Sequence, residues 1–189
     1  MRLCATFIFA LILALPPFAG NGFAADTQPT EYQLKAAYIY HFAQFVDWPA
    51  SAFPEANSPL IIGVLGKNPF GNSLQQIVDG KVLNNHPLTV REFHSVEELT
   101  NVCHILFISQ SEKSRLPEIF SAVSKMSTLT VGEVSHFTEN GGMVNFVLED
   151  DKIRFQINEI NVDNAGLKMS FKLLSLASQL TRDPQKSSK

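Results

Sequence analysis

Two short, almost uninterrupted apolar runs constrain the fold of this chain more than any other feature. They are Leu60–Leu65 and residues 103–108, and turn residues flank both. Runs of this kind are typical of strands that are buried on both faces of a parallel sheet. Helical and further strand patterns alternate with them, as helices at 71–79, 96–101 and 113–125 and strands at 88–93 and 129–131. The alternation predicts a mostly parallel sheet flanked by helices.

The pattern changes after Gly141-Gly142. Residues 143–148 and 153–157 alternate in polarity around a turn of charged residues, which predicts an antiparallel hairpin. Residues 167–180 are predicted to form an amphipathic helix, followed by a polar tail at 181–189. The predicted fold class is therefore α/β, a single-domain sandwich over 25–180 with a mostly parallel sheet, flanking helices and a C-terminal antiparallel hairpin.

Residues 31–48 contain neither Gly nor Pro and are predicted to form a helix capped by Thr30. Its apolar residues cover two sides. One stripe is Leu34, Tyr38, His41, Phe42, Phe45 and Trp48, and the other side carries Ile39, Tyr40, Ala43 and Val46. A helix that is apolar on both sides must be covered on both, by its own chain or by another protein. Tyr40 is therefore a candidate contact residue for a second copy or a partner.

The first 24 residues predict export. Arg2 precedes an apolar run at 3–15, and Gly22 and Ala24 provide the small residues of a signal-peptidase site. Cleavage would change the formal charge from −3 to −4, without a basic run outside the tail. Nucleic acid is thus not an expected partner.

Cys103 is the single cysteine of the mature chain, which excludes an internal disulfide. Its apolar surroundings predict a buried and inert thiol.

Searches for catalytic motifs give no strong candidate. Residues 66–73 have the spacing of a phosphate loop, but Asn72 stands at the lysine position, which leaves only a weaker possibility of anion binding. The five histidines lack metal-ligand spacing, and His41 and His104 are interpreted as hydrogen-bonded interior or interface residues. No nucleophile elbow is present. We expect no catalytic residue, metal or cofactor.

Polar residues in an apolar setting mark the C-terminal part of the sequence, namely Asn145, Arg154, Asn158, Asn161, Asn164 and Lys168. The amides fit capping groups of a loop. They also fit a surface that binds a ligand or a partner near strand ends, for which Asn158, Asn161 and Lys168 are the candidates.

Several blocks resemble the YfiR family, also described as DUF4154. They are YQLKAAYIYHFAQFVDWP, IIGVLGKNPFG, CHILFIS, GGMVNFVLEDDKIRFQIN and AGLKMSFKLLSLA, and together they span about residues 31–180. The resemblance implies a non-enzymatic periplasmic regulator and a homodimer. It also implies binding to the periplasmic sensor portion of an inner-membrane diguanylate cyclase, which limits cyclic-di-GMP signalling and biofilm formation. Disulfide-based redox control is not carried over, because Cys103 lacks a partner. A periplasmic small-molecule-binding protein is the alternative.

Overall fold

The computed structural model describes residues 29–99 and 103–183, so the predicted signal peptide lies outside the described residues. The helices are α1 (Glu31–Phe45), α2 (Ser73–Val78), α3 (Leu116–Val123), α4 (Glu159–Asn164) and α5 (Phe171–Leu174). The strands are β1 (Val46–Asp47), β2 (Leu60–Leu65), β3 (Val82–Leu83), β4 (His86–Phe93), β5 (Ile105–Ile108), β6 (Leu129–Gly132), β7 (Val144–Glu149), β8 (Lys152–Asn158), β9 (Lys168–Met169) and β10 (Gln179–Thr181). Short 3-10 turns occupy Ala50–Ala52, Val96–Glu98 and Gln110–Arg115.

The described residues form an eight-stranded sheet in the order β10-β8-β7-β6-β5-β2-β4-β3. Strands β4, β2, β5, β6 and β7 run parallel to one another, and β10 runs parallel to β8, whereas β7–β8 and β3–β4 are antiparallel pairs. The predicted fold class is confirmed: the sheet is mostly parallel, helices flank it, and an antiparallel strand pair lies toward the C-terminus.

Both faces of the central strands β2, β5 and β6 are buried, as the apolar runs predict for β2 and β5. On one face, Ile105 and Phe107 of β5 pack in a core with α1, α2, α4 and α5. On the other face, Leu106 and Ile108 pack against α3. Alternate residues of one strand thus enter two separate hydrophobic layers, which is why β5 reads as a continuous apolar run.

Helix α1 begins as predicted but ends earlier. The side chain of Thr30 accepts a hydrogen bond from the Gln33 N–H, and the Gln33 side chain accepts one from the Thr30 N–H. The helix stops at Phe45 rather than at 48, because Val46 and Asp47 pair antiparallel with Met169 and Lys168. This pairing joins residues more than a hundred positions apart, which no local pattern shows.

The expected stripes of α1 are partly wrong. Ile39 and Ala43 are buried within the core that also contains α2, so the chain itself covers the second side there. Leu34 and His41, expected in the covered stripe, are exposed instead. The outward side of α1 therefore carries Leu34, Ala37, Tyr38 and His41.

The predicted helix at 167–180 is wrong. Residues in this range form β9, the four-residue helix α5 and the start of β10. Strand β10 pairs in parallel with β8, with Leu180 opposite Ile157. The free edge of β8 supplies hydrogen bonds that a helix could not use, so tertiary pairing overrides local helix preference.

One of the two hairpins was predicted from the sequence, and the other was not. The predicted turn between β7 and β8 is confirmed, and Asp150 and Asp151 have φ values of 51° and 57°. The hairpin of β3 and β4 was not predicted. Its turn residues Asn84 and Asn85 have φ values of 50° and 69°. Asn tolerates this left-handed region better than most residues, so the Asn-Asn pair was the signal that could have revealed the turn.

Candidate functional site

Asn158 and Asn161 lie together and hold the chain in place. Asn158 caps α4, since its Oδ1 accepts a hydrogen bond from the Asn161 N–H at 3.1 Å. Its Nδ2 donates to the Thr138 carbonyl at 3.0 Å, and Nδ2 of Asn161 donates to the Gly142 carbonyl at 3.2 Å. The capping interpretation is confirmed for Asn158, whereas the Asn161 side chain holds the loop before β7. Both residues are half-buried.

The other polar residues of this region do not join one cluster. Lys168 is exposed on β9 opposite Asp47, and Arg154 and Asn164 are exposed as well. Asn145 is buried on β7, and its Oδ1 has no hydrogen-bond partner among the described residues. Asn161 and Asn164 line a cavity of about 160 Å³ together with Phe120 and Met143.

Tyr40 lies on α1 apart from these residues. It is half-buried, and its hydroxyl accepts a hydrogen bond from Nε2 of Gln44 at 3.2 Å. Its ring is tilted against His41, with centroids 6.0 Å apart. The geometry leaves part of the ring available at the surface.

The loop that follows β2 is a poor anion site. Nδ2 of Asn68 donates to Oε1 of Glu92 at 2.7 Å, and Glu112 lies beside Gly66. The Asn72 side chain makes no capping bond at the start of α2. These two carboxylates outnumber the one cation of the loop itself, Lys67, and repel an anion, so the structure argues against the anion-binding possibility.

His104 and His41 have different surroundings. His104 is buried as expected, and its ring stacks on Phe53 with centroids 4.4 Å apart. His41 is exposed, which excludes the interior one of its two expected settings, interior or interface, and its Nδ1 lies 2.9 Å from Oε1 of Gln44. Within residues 29–99 and 103–183, no three His, Cys, Asp or Glu side chains group as metal ligands could.

Cys103 is buried and forms no disulfide, as predicted. Its side chain packs in the layer of α3, while His104 faces the opposite side of the sheet. Burial raises the pKa of the Cys103 thiol to about 12. A thiol with this pKa is protonated at neutral pH and therefore a poor nucleophile.

An ionic cluster that the sequence did not reveal joins α1 to the residue after β6. Nζ of Lys35 lies 2.6 Å from Oε2 of Glu133 and also binds Glu31. The Tyr32 hydroxyl donates to Oε1 of Glu133 at 3.1 Å. Lys35 and Glu133 are 98 positions apart, and their side chains are only 7% and 8% exposed. A lysine in the first turns of a helix normally points to solvent, so no local signal marked it.

The pKa values of the cluster respond to both burial and charge. Burial lowers the pKa of Lys35, but its hydrogen bonds to Glu133 and Glu31 and their charges outweigh this effect and raise it. Burial and the neighbouring Glu133 carboxylate raise the pKa of Tyr32. Lys35 is thus held as a cation and Tyr32 as a neutral phenol.

Two cavities adjoin this cluster. A groove of about 710 Å³ lies between the outward side of α1 and the β7–β8 hairpin, with Leu34, Tyr38 and Ile153 in its walls. A smaller cavity of about 190 Å³ is lined by polar groups that include Lys35, Gln110 and Glu133. Glu31, Leu148 and Ile153 line both cavities.

In the part of the chain that the structure describes, no helix has the length and hydropathy needed to cross a membrane.

No curated protein matches the sequence. One solved structure that matches is the ABC domain in complex with L-Trp from Streptococcus pneumonia. It has 15% identity and a TM-score of 0.45, over 64% of this chain and 55% of that chain. The chain thus spans about half the length of that structure, and a likeness this weak establishes no shared fold or ligand.

The family comparison is more informative. The family model DUF4154, described as YfiR/HmsC-like, matches residues 32–178. The match runs from the first turn of α1 to the residue before β10, and so includes the parallel sheet, the β7–β8 hairpin and the ionic cluster. The chain belongs to the YfiR/HmsC-like family.

Proposed function

We propose that this chain is a non-enzymatic periplasmic regulator that binds the periplasmic sensor portion of an inner-membrane diguanylate cyclase. Binding would hold the cyclase inactive and so limit cyclic-di-GMP and biofilm formation. The observation that carries the proposal is the family match over residues 32–178. The export signal predicted at residues 1–24 supports the compartment.

The chemistry of the polar groups supports a binding role. The amides of Asn158 and Asn161 hold α4 and the loop before β7. The Cys103 thiol is buried, and the His104 ring is enclosed by aromatic side chains. Nucleophilic catalysis needs a nucleophile and a base within hydrogen-bond reach of each other. Cys103 and His104 face opposite sides of the sheet and do not provide such a pair.

The residues proposed to contact the partner or a second copy are Tyr40, Asn158, Asn161 and Lys168. Tyr40 offers an aromatic surface with a polar tip, a residue type that often carries interface energy. Lys168 offers an exposed cation on β9. The side-chain amides of Asn158 and Asn161 form hydrogen bonds within the fold. We therefore expect these residues to support the contact surface indirectly, by positioning α4.

Capture of the partner tests the proposal directly. The tagged mature chain is incubated with a detergent extract of inner membranes from the same organism, and the bound proteins are identified by mass spectrometry. The proposal expects a membrane protein with a periplasmic segment and a cyclase domain. Recovery of the tagged chain alone, under conditions where it is folded, would argue against it.

Substitution of contact residues refines the test. Tyr40→Asp and Lys168→Glu are expected to weaken capture of the partner or self-association, since a misplaced charge is costly in a dry contact. Glu55→Gln provides a control at an exposed position outside α1 and β9, in the loop before β2. Light scattering measures the oligomeric state, for which we propose a homodimer. Unchanged capture and unchanged mass for both variants would place the interface elsewhere.

A further inference from the structure

One polar atom of His104 lacks a hydrogen bond, although every other polar atom of this residue has one. Its backbone N–H donates to the Ile61 carbonyl at 2.9 Å. Its carbonyl accepts from the Leu129 N–H at 2.8 Å and from Nε1 of Trp48 at 3.2 Å. Because Nδ1 accepts from the Ile61 N–H, Nε2 carries the proton of the neutral ring. This Nε2 is buried and forms no hydrogen bond with any of the described residues.

A buried N–H without an acceptor is uncommon, because nothing compensates for the water that it has lost. His104 is only 1% exposed, and stacking on Phe53 together with the bond at Nδ1 holds its ring in place. The Ala52 backbone lies close enough to raise the pKa of His104, against the larger effect of burial, but it does not complete a hydrogen bond with Nε2. Nε2 is therefore a fixed donor that can accommodate an acceptor from outside the chain.

A cavity of about 450 Å³ adjoins this donor at the amino ends of β5 and β6. His104 and Ala52, the residue beside Nε2, both belong to its wall. The hydroxyl-bearing residues Ser51 and Ser127 line it as well. The volume lies in the range of small-molecule sites, in which a few convergent polar groups orient the ligand.

The charges around the cavity favour an anion. Lys125 is the single charged residue among the described residues that line it, and no carboxylate is among them. Lys125 is exposed and forms no ion pair with another described residue. Residues 100–102, which precede Cys103 in the sequence, are uncharged and leave this balance as it is. One ammonium beside neutral donors matches an anion with a single negative charge.

We infer that this cavity binds a small organic monocarboxylate, whose carboxylate accepts a hydrogen bond from Nε2 of His104 and is attracted by Lys125. Met126 is half-buried in the cavity wall and provides an apolar surface for the body of the ligand. The site is separate from the residues proposed to contact the partner. The inference goes beyond the proposed regulation and does not depend on it.

Calorimetric titration with benzoate, benzamide and benzylamine tests the inference, because these probes share a ring and differ in the charge of the polar group. Benzoate is expected to bind the full mature chain with a stoichiometry of one. Its affinity is expected to be about tenfold higher than that of benzamide, since a charged acceptor forms the stronger hydrogen bond. Benzylamine is expected to bind most weakly. Binding of benzamide or benzylamine as tight as that of benzoate, or no benzoate binding at millimolar concentration, would overturn the inference.

Variants of the proposed donor locate the site. In His104→Asn, Oδ1 of the shorter side chain can accept from the Ile61 N–H in place of Nδ1, whereas the Nε2 donor is lost. Benzoate binding is expected to weaken about tenfold in this variant. His41→Asn, at an exposed position on α1, is expected to bind benzoate as the parent chain does. Unchanged benzoate affinity in a folded His104→Asn variant would overturn the assignment.

Variants of the proposed cation test the charge selection. Lys125→Gln is expected to weaken benzoate binding about threefold, as an exposed charge allows, and to leave benzamide binding unchanged. Lys113→Gln is the matched control, because it removes an exposed lysine before α3 rather than after it. It is expected to change neither affinity. Equal benzoate binding by Lys125→Gln and Lys113→Gln would overturn the role of Lys125.

A magnetic resonance measurement makes the test independent of how the variants fold. In the parent chain with isotope-labelled histidine, the Nε2–H signal of His104 is expected to move downfield when benzoate is added, because the proton then enters a charge-assisted hydrogen bond. The ring signals of the exposed His41 are expected to stay in place. A His104 signal that does not move at a benzoate concentration that saturates the calorimetric titration would overturn the inference.

Discussion

Nδ1 of His104 accepts a hydrogen bond from the backbone N–H of Ile61 at 3.0 Å. An imidazole that accepts at Nδ1 is neutral, with its proton on Nε2. Protonation of Nδ1 would leave the Ile61 N–H without its acceptor at the amino end of β2. The relationship therefore ties the stability of this part of the sheet to the charge of one buried histidine.

The first prediction concerns pH. Burial lowers the pKa of His104 from 6.5 to about 4. Between these values the unfolded chain binds a proton that the folded chain does not, so stability falls as pH decreases through this window. The loss is at most about 3 kcal/mol. Urea unfolding at pH 7 and pH 4.5 measures it.

Two histidine variants control the pH experiment. His104→Gln is expected to show a smaller loss of unfolding free energy between the two pH values, because the titrating group is gone. His41→Gln, at an exposed position, is expected to behave as the parent chain does. Equal pH dependence in His104→Gln and the parent would contradict the assignment.

The second prediction concerns Cys103. With a pKa raised to about 12 and a buried side chain, the thiol is expected to react with a maleimide only after denaturation. Mass spectrometry after labelling, with and without urea, measures the modified fraction. Rapid modification of the folded chain would show instead that Cys103 is reachable and open to a redox role.

The third prediction concerns the ion pair of Lys35 and Glu133. Lys35→Met leaves the Glu133 carboxylate buried without its ammonium, which is expected to cost about 3–5 kcal/mol of unfolding free energy. The double variant Lys35→Met/Glu133→Leu is expected to recover most of this loss, because neither charge remains. Urea unfolding of Lys35→Met, Glu133→Leu and the double variant completes a double-mutant cycle. A double variant as unstable as Lys35→Met would contradict this expectation and show that the pair itself stabilises the fold.

The fourth prediction concerns the turn of the β7–β8 hairpin. Asp151 has a φ of 57°, which glycine adopts without the steric cost of a side chain. Asp151→Gly is expected to raise the unfolding free energy by about 0.5–1 kcal/mol, as a two-residue turn with positive φ favours. Asp163→Gly, within α4, is expected to lower it. Thermal unfolding of both variants distinguishes this account from a general effect of removing an acid.

The sequence predicted those parts of the fold that depend on local patterns. The apolar runs of β2 and β5 and the alternation around Asp150-Asp151 identified the sheet and its hairpin. Pairing between distant segments was not visible. It ended α1 at Phe45 through β1 and β9, and it converted the end of a predicted helix into β10.

In the candidate site as well, local features were predictable from the sequence and contacts between distant residues were not. The capping role of Asn158 follows from its place after a strand and before an acidic first turn, so it was predictable. The contact of Lys35 with Glu133 joins residues 98 positions apart. A lysine followed by apolar residues in a helix does not indicate by itself that the lysine is buried, so this contact was not predictable. The groove depends on how the hairpin lies against α1, which is a tertiary relationship.

The proposal that this chain restrains a diguanylate cyclase is the central one. Its most direct test is the intracellular cyclic-di-GMP level, measured by mass spectrometry in the parent strain, a deletion strain, and a strain that also lacks the captured cyclase. The account predicts a higher level after deletion of the chain alone, and a return to the parent level in the double deletion and after complementation. An unchanged level after deletion, under conditions where the protein is expressed, would contradict it.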